Sequence, residues 1–482
     1  MTNHYIYKDI LKKTLDHSLN YLGSLKNAPV TPTAGYSELY ARLDHPLTAE
    51  GTDAETVLAD LIYDSRDGLL GCAGGRFFGW VIGGSLPASL AADWMTSVWD
   101  QNAAIFAGGP AVAVMEEIAG KWIKDLLVIP QTGSIGFVTG SQMAHVTCLA
   151  AARHQVLAQK GWDVEESGLF GAPAIRILTG SHRHGSIDRA VRLLGLGRNC
   201  VKELPIDTNG RLTADELRRS LEETPNQPTI VLLQAGDLNI GAFDPFDELI
   251  PIAHEFGAWA HIDGAFGLWA AASPKYKHLL NGYETADSWV ADGHKWLNVP
   301  YDCGYAIIAH PDVHIASMSY RASYMVHDLE ARDPMDWNPE WSRRARGVPT
   351  YAALRQLGRD GVANLIERTC AFAHDLVTRI GELPGAEMVW EPQINQGLVR
   401  YLDPSPNATD ADHDAWTDRV IAEIQKDGEA FFGGTTWQGK RCMRVSVCNW
   451  QTTAGDVDRA VNAVEKILAN LLLEKSSETS DG

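Results

Sequence analysis

The chain has 482 residues, 45% of them hydrophobic and 21% charged, an ordinary globular composition long enough for more than one domain. Its 61 acidic residues outnumber 41 basic ones, and the formal net charge of −20 argues against a nucleic-acid or anionic-membrane partner. Seven cysteines are scattered without a CxxC pair, a pattern that suits a reducing cytosol better than a disulfide framework.

The N-terminal stretch mixes charge throughout and has neither an apolar core nor a cleavage site, so no signal peptide is expected. No uncharged apolar run reaches the roughly 18 residues that a membrane span requires. A soluble, cytoplasmic protein is the expectation. Residues 7–25 carry apolar positions at helical spacing and lead into the Pro-rich segment NAPVTPTAGY. Such an arm either packs on a partner subunit or straps its own chain.

From about residue 90 to 345 the pattern alternates helix and strand. The runs AIRILTG (174–180), TIVLLQAG (229–236), AWAHIDGAFG (258–267) and DSWVADGHKW (287–296) begin as short apolar β-rich stretches. Helical segments such as TADELRRSLEET (213–224) and FDELIPIAHEF (246–256) lie between them. This alternation predicts an α/β domain with a mainly parallel sheet, whose ligands sit outside the carboxyl ends of the strands. After WSRRARG the chain reads as a smaller α+β unit, with strands at LVRYL and CMRVSVC and a final amphipathic helix. The expected division is an N-terminal arm over 1–89, a large α/β domain over 90–345, a small domain over 346–475 and a disordered tail over 476–482.

Two polar residues end predicted strands, Asp263 and Lys295. A buried lysine amine is a good nucleophile and can form a Schiff base with an aldehyde, whereas a surface lysine would lay its stem over Trp296. A carboxylate opposite a pyridine nitrogen keeps that nitrogen protonated, and this pairing marks pyridoxal phosphate sites. Two further stretches fit the same cofactor. In GFVTGSQMAH (136–145), Gly140, Ser141 and Gln142 open a helix and could hold a phosphate, or Ser141 could be a simple N-cap. In SHRHGSIDRA (181–190), His184 could stack on a planar ring or cap the helix that follows. No metal site is expected.

At this point the chain resembles the group II pyridoxal-phosphate-dependent amino-acid decarboxylases, the aromatic-L-amino-acid and glutamate decarboxylase-like family. The ordered motifs RFFGWVIGG, GGPAVAVMEE, TGSQMAH, SHRHGSIDRA, HIDGAFG and GHKWLNVPYDCG carry the likeness from about residue 70 to 460. The resemblance implies the aspartate-aminotransferase-like fold (fold type I), with an internal aldimine on Lys295 and Asp263 on the pyridine nitrogen. It places the ring-stacking imidazole on His184, a ring-face contact on Ala265 and a phosphate contact on His294. By alignment Asn239 lies nearest the cofactor in LLQAGDLNIGAFDP. A homodimer with a shared active site is implied, FAGGPAV of one subunit lying near the other's cofactor.

The chain departs from the family in four places, the first being LLQAGDLNIGAFDP (232–245), which replaces a threonine-rich segment. Asp292 stands where relatives carry Ser or Asn, and is expected to point away from the phosphate or be held by an arginine. The phosphate loop reads Ser141-Gln142-Met143 rather than two small hydroxyl residues and Glu. The loop ARDPMDWNPE (331–340) has no tyrosine to protonate a carbanion. The expectation is that either Tyr324 or His327 folds back as a substitute acid, with Asp333, Asp336 and Tyr320 nearby in sequence, or protonation is poor and side products accumulate. Trp80 suggests an aromatic wall for the substrate, and Arg444 is either a substrate-carboxylate partner or a structural ion pair. The expected activity is decarboxylation of an L-amino acid to an amine and CO2. Aldol cleavage, transamination or aldehyde-forming decarboxylation at the same site is the alternative, and a non-catalytic cofactor-binding homologue the least favoured.

Overall fold

The computed structural model describes residues 4–320 and 331–480. The chain divides into two units, one of Val81–His374 and Trp390–Gly397, the other of Met1–Trp80, Asp375–Val389 and Leu398–Gly482. This division differs from the boundaries expected at 89/90 and 345/346. The segment 346–374 belongs with the large sheet because a helix starting at Gly347 packs there, Thr369 accepting the Trp296 indole N–H at 2.8 Å.

The larger unit is built on seven strands: β1 (Ser134–Val138), β2 (Arg176–Gly180), β3 (Val201–Leu204), β4 (Thr229–Gln234), β5 (Trp259–Asp263), β6 (Ser288–Asp292) and β7 (Gly304–Ile308), in the order β1-β7-β6-β5-β4-β2-β3. From β3 to β6 neighbours are parallel, while β7 runs antiparallel to both β6 and β1. Strands β1, β5, β6 and β7 are buried at every position, which is why they read as continuous apolar runs rather than alternating ones. A parallel return from β6 would need a helical crossover of a dozen or more residues. Residues 293–303 contain no helix, so β7 comes straight back, and this connection carries Lys295. The helix Ser141–Ala158 lies on the sheet, its small residues Ala144, Ala151 and Ala152 packing with Ile177, Ile230 and Leu232 in one buried cluster.

Asp287, just before β6, fastens this unit through two histidines. Its carboxylate accepts His254 Nε2 at 3.0 Å, His310 Nε2 at 2.9 Å and the Ala260 N–H at 2.7 Å. The hydrogen bonds to Asp287 raise both imidazoles above their ordinary value against the effect of burial. Burial alone would raise the Asp287 carboxyl, but the bonds from the two histidines hold it below its usual range. The raised histidines contribute stability that is complete below their unfolded pKa and fades as pH climbs through their folded values. The lowered carboxyl contributes above the unfolded carboxylate range, and that part fades as pH falls through its folded value. Both imidazoles are almost half exposed, so the slope is shallow. A melting temperature followed from about pH 5 to about pH 9 is therefore expected to lose this increment toward alkaline pH, and Asp287→Ala to remove that part of the slope.

The smaller unit holds the helices His4–Ser24, Tyr36–Leu43 and Ala54–Ser65. Its four-stranded sheet has the order β10-β11-β9-β8, from β8 (Ala386–Trp390), β9 (Gln396–Tyr401), β10 (Gly433–Trp437) and β11 (Lys440–Ser446). Arg444 is buried on β11, opposite Gly433. Trp80 is half exposed beside the rings of Phe77 and Phe431. The last helix runs Ala454–Ser480, so the tail expected to be disordered from 476 is helical as far as Ser480. Among the described residues no helix is long and apolar enough to cross a membrane.

Candidate active site

The carboxyl ends of β1, β5 and β6 open on one cavity of about 540 Å³. Gly140, Ser141, Gln142, His184, Asp263, Ala265, His294 and Lys295 all line it. The structure thus brings together eight residues singled out in the sequence. Asn239 is not among the described lining residues, where Gly236 and Leu238 stand instead. The Asp237 carboxylate accepts the N–H groups of Asn239 and Ile240 and turns the chain there. Trp80 and Arg444 belong to the other unit, and Tyr324 and His327 lie outside the described residues. Asp333 and Asp336 are buried in structural bonds, accepting the Phe106 N–H at 2.8 Å and the Ser319 hydroxyl at 2.6 Å. Tyr320 is exposed and stacks on Trp341.

Lys295 projects from the loop between β6 and β7, and its neighbours anchor that loop. Trp296 is buried, and the Asn298 side chain accepts the Gly84 N–H at 2.7 Å and donates to the Trp296 carbonyl at 2.8 Å. From the other side the backbone at Gly83 presses on the loop so closely that a Cβ there would lie 1.9 Å from the Lys295 carbonyl oxygen. The lysine Nζ is 3.0 Å from Asp292 Oδ2, and the other Asp292 oxygen accepts the Ser141 N–H at 2.6 Å. The expectation that an arginine holds Asp292 is therefore corrected. A helix N-terminus and an ammonium are the partners that stabilise this buried carboxylate.

The remaining groups suit a phosphorylated, aldehyde-bearing ring. The Ser141 hydroxyl is buried without a hydrogen-bond partner at the start of a helix, as a phosphate ligand would be. At Gly140 a Cβ would come within 2.8 Å of His294 Cε1, so glycine keeps this cradle open. His294 accepts the Cys303 N–H on Nδ1 at 3.1 Å and stacks on Tyr301, and burial holds its imidazole below the ordinary value. His184 caps the helix Gly185–Leu193, with Nδ1 3.2 Å from the Ser186 N–H and 2.8 Å from its hydroxyl. Capping fixes the imidazole at the cavity wall, so the two roles weighed for it are compatible. Burial alone would raise the Asp263 carboxyl, but His145, His184 and Lys295 outweigh it and hold the group well below the usual carboxylate range. A carboxylate so held is charged at neutral pH and can keep a pyridine nitrogen protonated. Tyr301 and Phe266 complete the wall and were missed in the sequence, where single aromatics in loops give no signal.

Comparison with known proteins agrees with this chemistry. The family model "Pyridoxal-dependent decarboxylase conserved domain" matches residues 51–401. An aromatic-L-amino-acid decarboxylase of Bacillus atrophaeus is 24% identical over 453 residues, covering 92% of this chain and 92% of that protein. The acidic amino acid decarboxylase GADL1 of Bos taurus is 25% identical over 405 residues, covering 81% of this chain and 77% of that one. In fold the chain is similar to the crystal structure of Oryza sativa TDC with PLP and tryptamine, with a TM-score of 0.91 at 21% identity over 98% of this chain and 99% of that one.

Proposed function

The chain belongs to the pyridoxal-dependent decarboxylase family, and from that membership we propose that it removes CO2 from an L-amino acid at Lys295 and releases the corresponding amine. It is a pyridoxal-phosphate-dependent carboxy-lyase. The observation that carries the residue assignment is the convergence of Lys295, Asp263 and the unpartnered Ser141 hydroxyl on one cavity.

When bound, pyridoxal phosphate supplies an aldehyde that condenses with an amine and a ring that accepts the electron pair left behind by CO2. Lys295 is the amine that attaches it and, once displaced by the substrate amine, the nearest base to move protons at the reacting carbon. Asp263 accepts the ring N–H and keeps that nitrogen charged. The Ser141 hydroxyl would hold the phosphate, with His294 beside it, while the Ser141 N–H stays on Asp292. His184, fixed by Ser186, and Ala265 would lie against the ring. Phe266 and Tyr301 add aromatic surface to the cavity wall. The protein's partner is a small-molecule amino-acid substrate, with no nucleic acid and no membrane, in a cytoplasmic setting.

Purified holoprotein incubated with each common L-amino acid in turn should release CO2 and amine together from at least one. Aldehyde from a β-hydroxy amino acid without CO2 would overturn decarboxylation in favour of aldol cleavage. Ser141→Ala is expected to weaken cofactor binding about tenfold or more, since a hydrogen bond to a charged group contributes about 1.5–3 kcal/mol. Titration of the apoprotein with cofactor, followed by tryptophan quenching, checks it, and unchanged affinity would remove Ser141 from the phosphate site.

The active protein is a homodimer, with FAGGPAV (106–112) of one subunit near the partner's cofactor. Support comes from the helix His4–Ser24, which leaves Tyr7, Leu11, Leu15 and Leu19 exposed in one stripe at four-residue spacing. A second copy of this chain would cover it. Sedimentation velocity should give a dimer, and a fully active monomer would refute the assembly.

A further inference from the structure

Behind Asp263, away from the cavity, stands a row of buried polar groups with no assigned role. Asp263 Oδ1 accepts the Ala265 N–H at 3.2 Å, and Oδ2 lies 3.4 Å from His145 Nε2. His145 is fully buried, and this nitrogen has no hydrogen-bond partner, its approach to Asp263 being a close polar contact. On its far side His145 Nδ1 is 3.0 Å from His261 Nε2, and His261 Nδ1 is 2.8 Å from Ser288 Oγ. The Trp259 indole N–H donates to the same hydroxyl oxygen at 2.8 Å. The strands build this row. Trp259, His261 and Asp263 alternate along one face of β5, and Ser288 pairs with His261 across β5 and β6. The helix Ser141–Ala158 lays His145 over that face, one turn after the phosphate-binding end.

Elementary donor counting sets the direction of the row. An indole nitrogen can only donate, so Ser288 Oγ accepts from Trp259 and has its own O–H to give. Two groups lie within reach of it, His261 Nδ1 and the Cys148 thiol, and the imidazole nitrogen is the stronger acceptor. Burial lowers His261 to about 3, so this ring is neutral and has one proton. That proton is then on Nε2 and is donated to His145 Nδ1. His145 carries its own on Nε2, facing the carboxylate. The reverse direction would turn a lone pair toward Asp263 or require a buried imidazolium, and would leave the Ser288 hydroxyl proton only the weakly accepting Cys148 sulfur.

We infer that His145 is a positioning residue of the reaction, and that the row Trp259–Ser288–His261–His145 presents Asp263 with a neutral N–H donor. The donor fixes the carboxylate in the plane of the ring nitrogen. Being neutral, it leaves Asp263 the full negative charge with which to keep that nitrogen protonated, whereas an imidazolium would pair with the carboxylate and compete for it. The inference rests on the reading that Asp263 meets the ring nitrogen of the cofactor.

Holoenzyme reconstituted with pyridine-15N-labelled pyridoxal phosphate tests both, because the nitrogen chemical shift separates the protonated ring from the neutral one. The wild type should give the protonated shift and Asp263→Asn the neutral one. His145→Phe, which keeps a ring but no donor, should move the shift toward neutral and weaken cofactor binding about 10–100-fold, the usual loss for a partner that orients a direct ligand. His145→Gln, which restores an N–H donor, should return the shift toward the wild-type value. Wild-type shift and affinity in His145→Phe would overturn the inference. An unchanged shift in Asp263→Asn would overturn the underlying reading instead. Should His145→Phe fail to fold, 15N-histidine spectra of the unmodified holoenzyme decide the matter. Protonated Nε2 and bare Nδ1 are expected for both His145 and His261, and an imidazolium at His145 would overturn the row as drawn.

Discussion

Lys295→Ala protein is expected to fold, to bind cofactor only without a covalent link, and to lose about 10²–10⁴-fold or more in kcat, the scale of a missing proton-transfer group. Folding should survive because the loop is anchored by the buried Trp296 and by Asn298, not by the lysine, whose Nζ pairs with the Asp292 carboxylate at 3.0 Å. Borohydride reduction followed by peptide mass analysis should find one reduced cofactor on the wild-type peptide containing Lys295 and none on the variant. Covalent cofactor retained at full occupancy after the substitution would sink the assignment of Lys295. The same variant also exposes the Asp292 carboxylate to the cavity without its ammonium, so cofactor affinity should fall along with turnover.

The largest stability effect is expected at a pair far from any chemistry. Arg343 Nη2 reaches both oxygens of Glu116 at 2.7 Å, and both side chains are 1% exposed. Arg343 also donates to the Phe137 carbonyl at 3.3 Å, so one guanidinium ties the helix Pro110–Leu126, strand β1 and the segment after residue 340 together. Arg332 Nη1 lies 3.9 Å from the same carboxylate. Glu116→Ala therefore strips two guanidiniums of their counter-charge and should cost about 3–5 kcal/mol. Arg343→Ala leaves Glu116 facing Arg332 and should cost less. The double replacement Glu116→Met with Arg343→Leu should recover only part of the Glu116→Ala loss, because Arg332 remains. Urea unfolding midpoints measure the three variants. A single variant within about 0.5 kcal/mol of wild type would show that water reaches the site in solution.

What could be read from the residues alone followed from local order. Asp263 and Lys295 were visible because each breaks an apolar strand run with a polar group, and parallel sheets collect such ends on one edge. The small turn at Gly140–Ser141 was visible for a similar reason, as a strand giving way to a helix. The antiparallel course of β7 was not, because its run GYAII looks the same whichever way it pairs, and only the short helix-free connection decides. His145 and His261 were hidden more deeply. A histidine four residues into a helix and another inside a strand have no signal until the register places Ser288 beside His261. The same holds for Asp292, whose partners are a backbone N–H on a distant helix and a lysine three positions on. Asn239 shows the converse limit, for alignment pointed to its loop, whereas the cavity wall there is formed by Gly236 and Leu238.

The contact at Gly83 constrains any attempt to re-engineer the enzyme. Substrate range is usually altered by randomising the walls of a pocket, and the VIGG segment invites inclusion because it borders the Lys295 loop. Yet the atom it meets is main chain, the Lys295 carbonyl oxygen at 1.9 Å from a built Cβ, and cannot rotate aside as a side chain would. Every replacement at 83 must move the loop that carries the nucleophile, so a library opened there would be filled with inactive clones irrespective of the amino acid being selected for. Diversity is better spent at Phe266, Leu238 and Tyr301, where the cavity is lined by side chains with room to change.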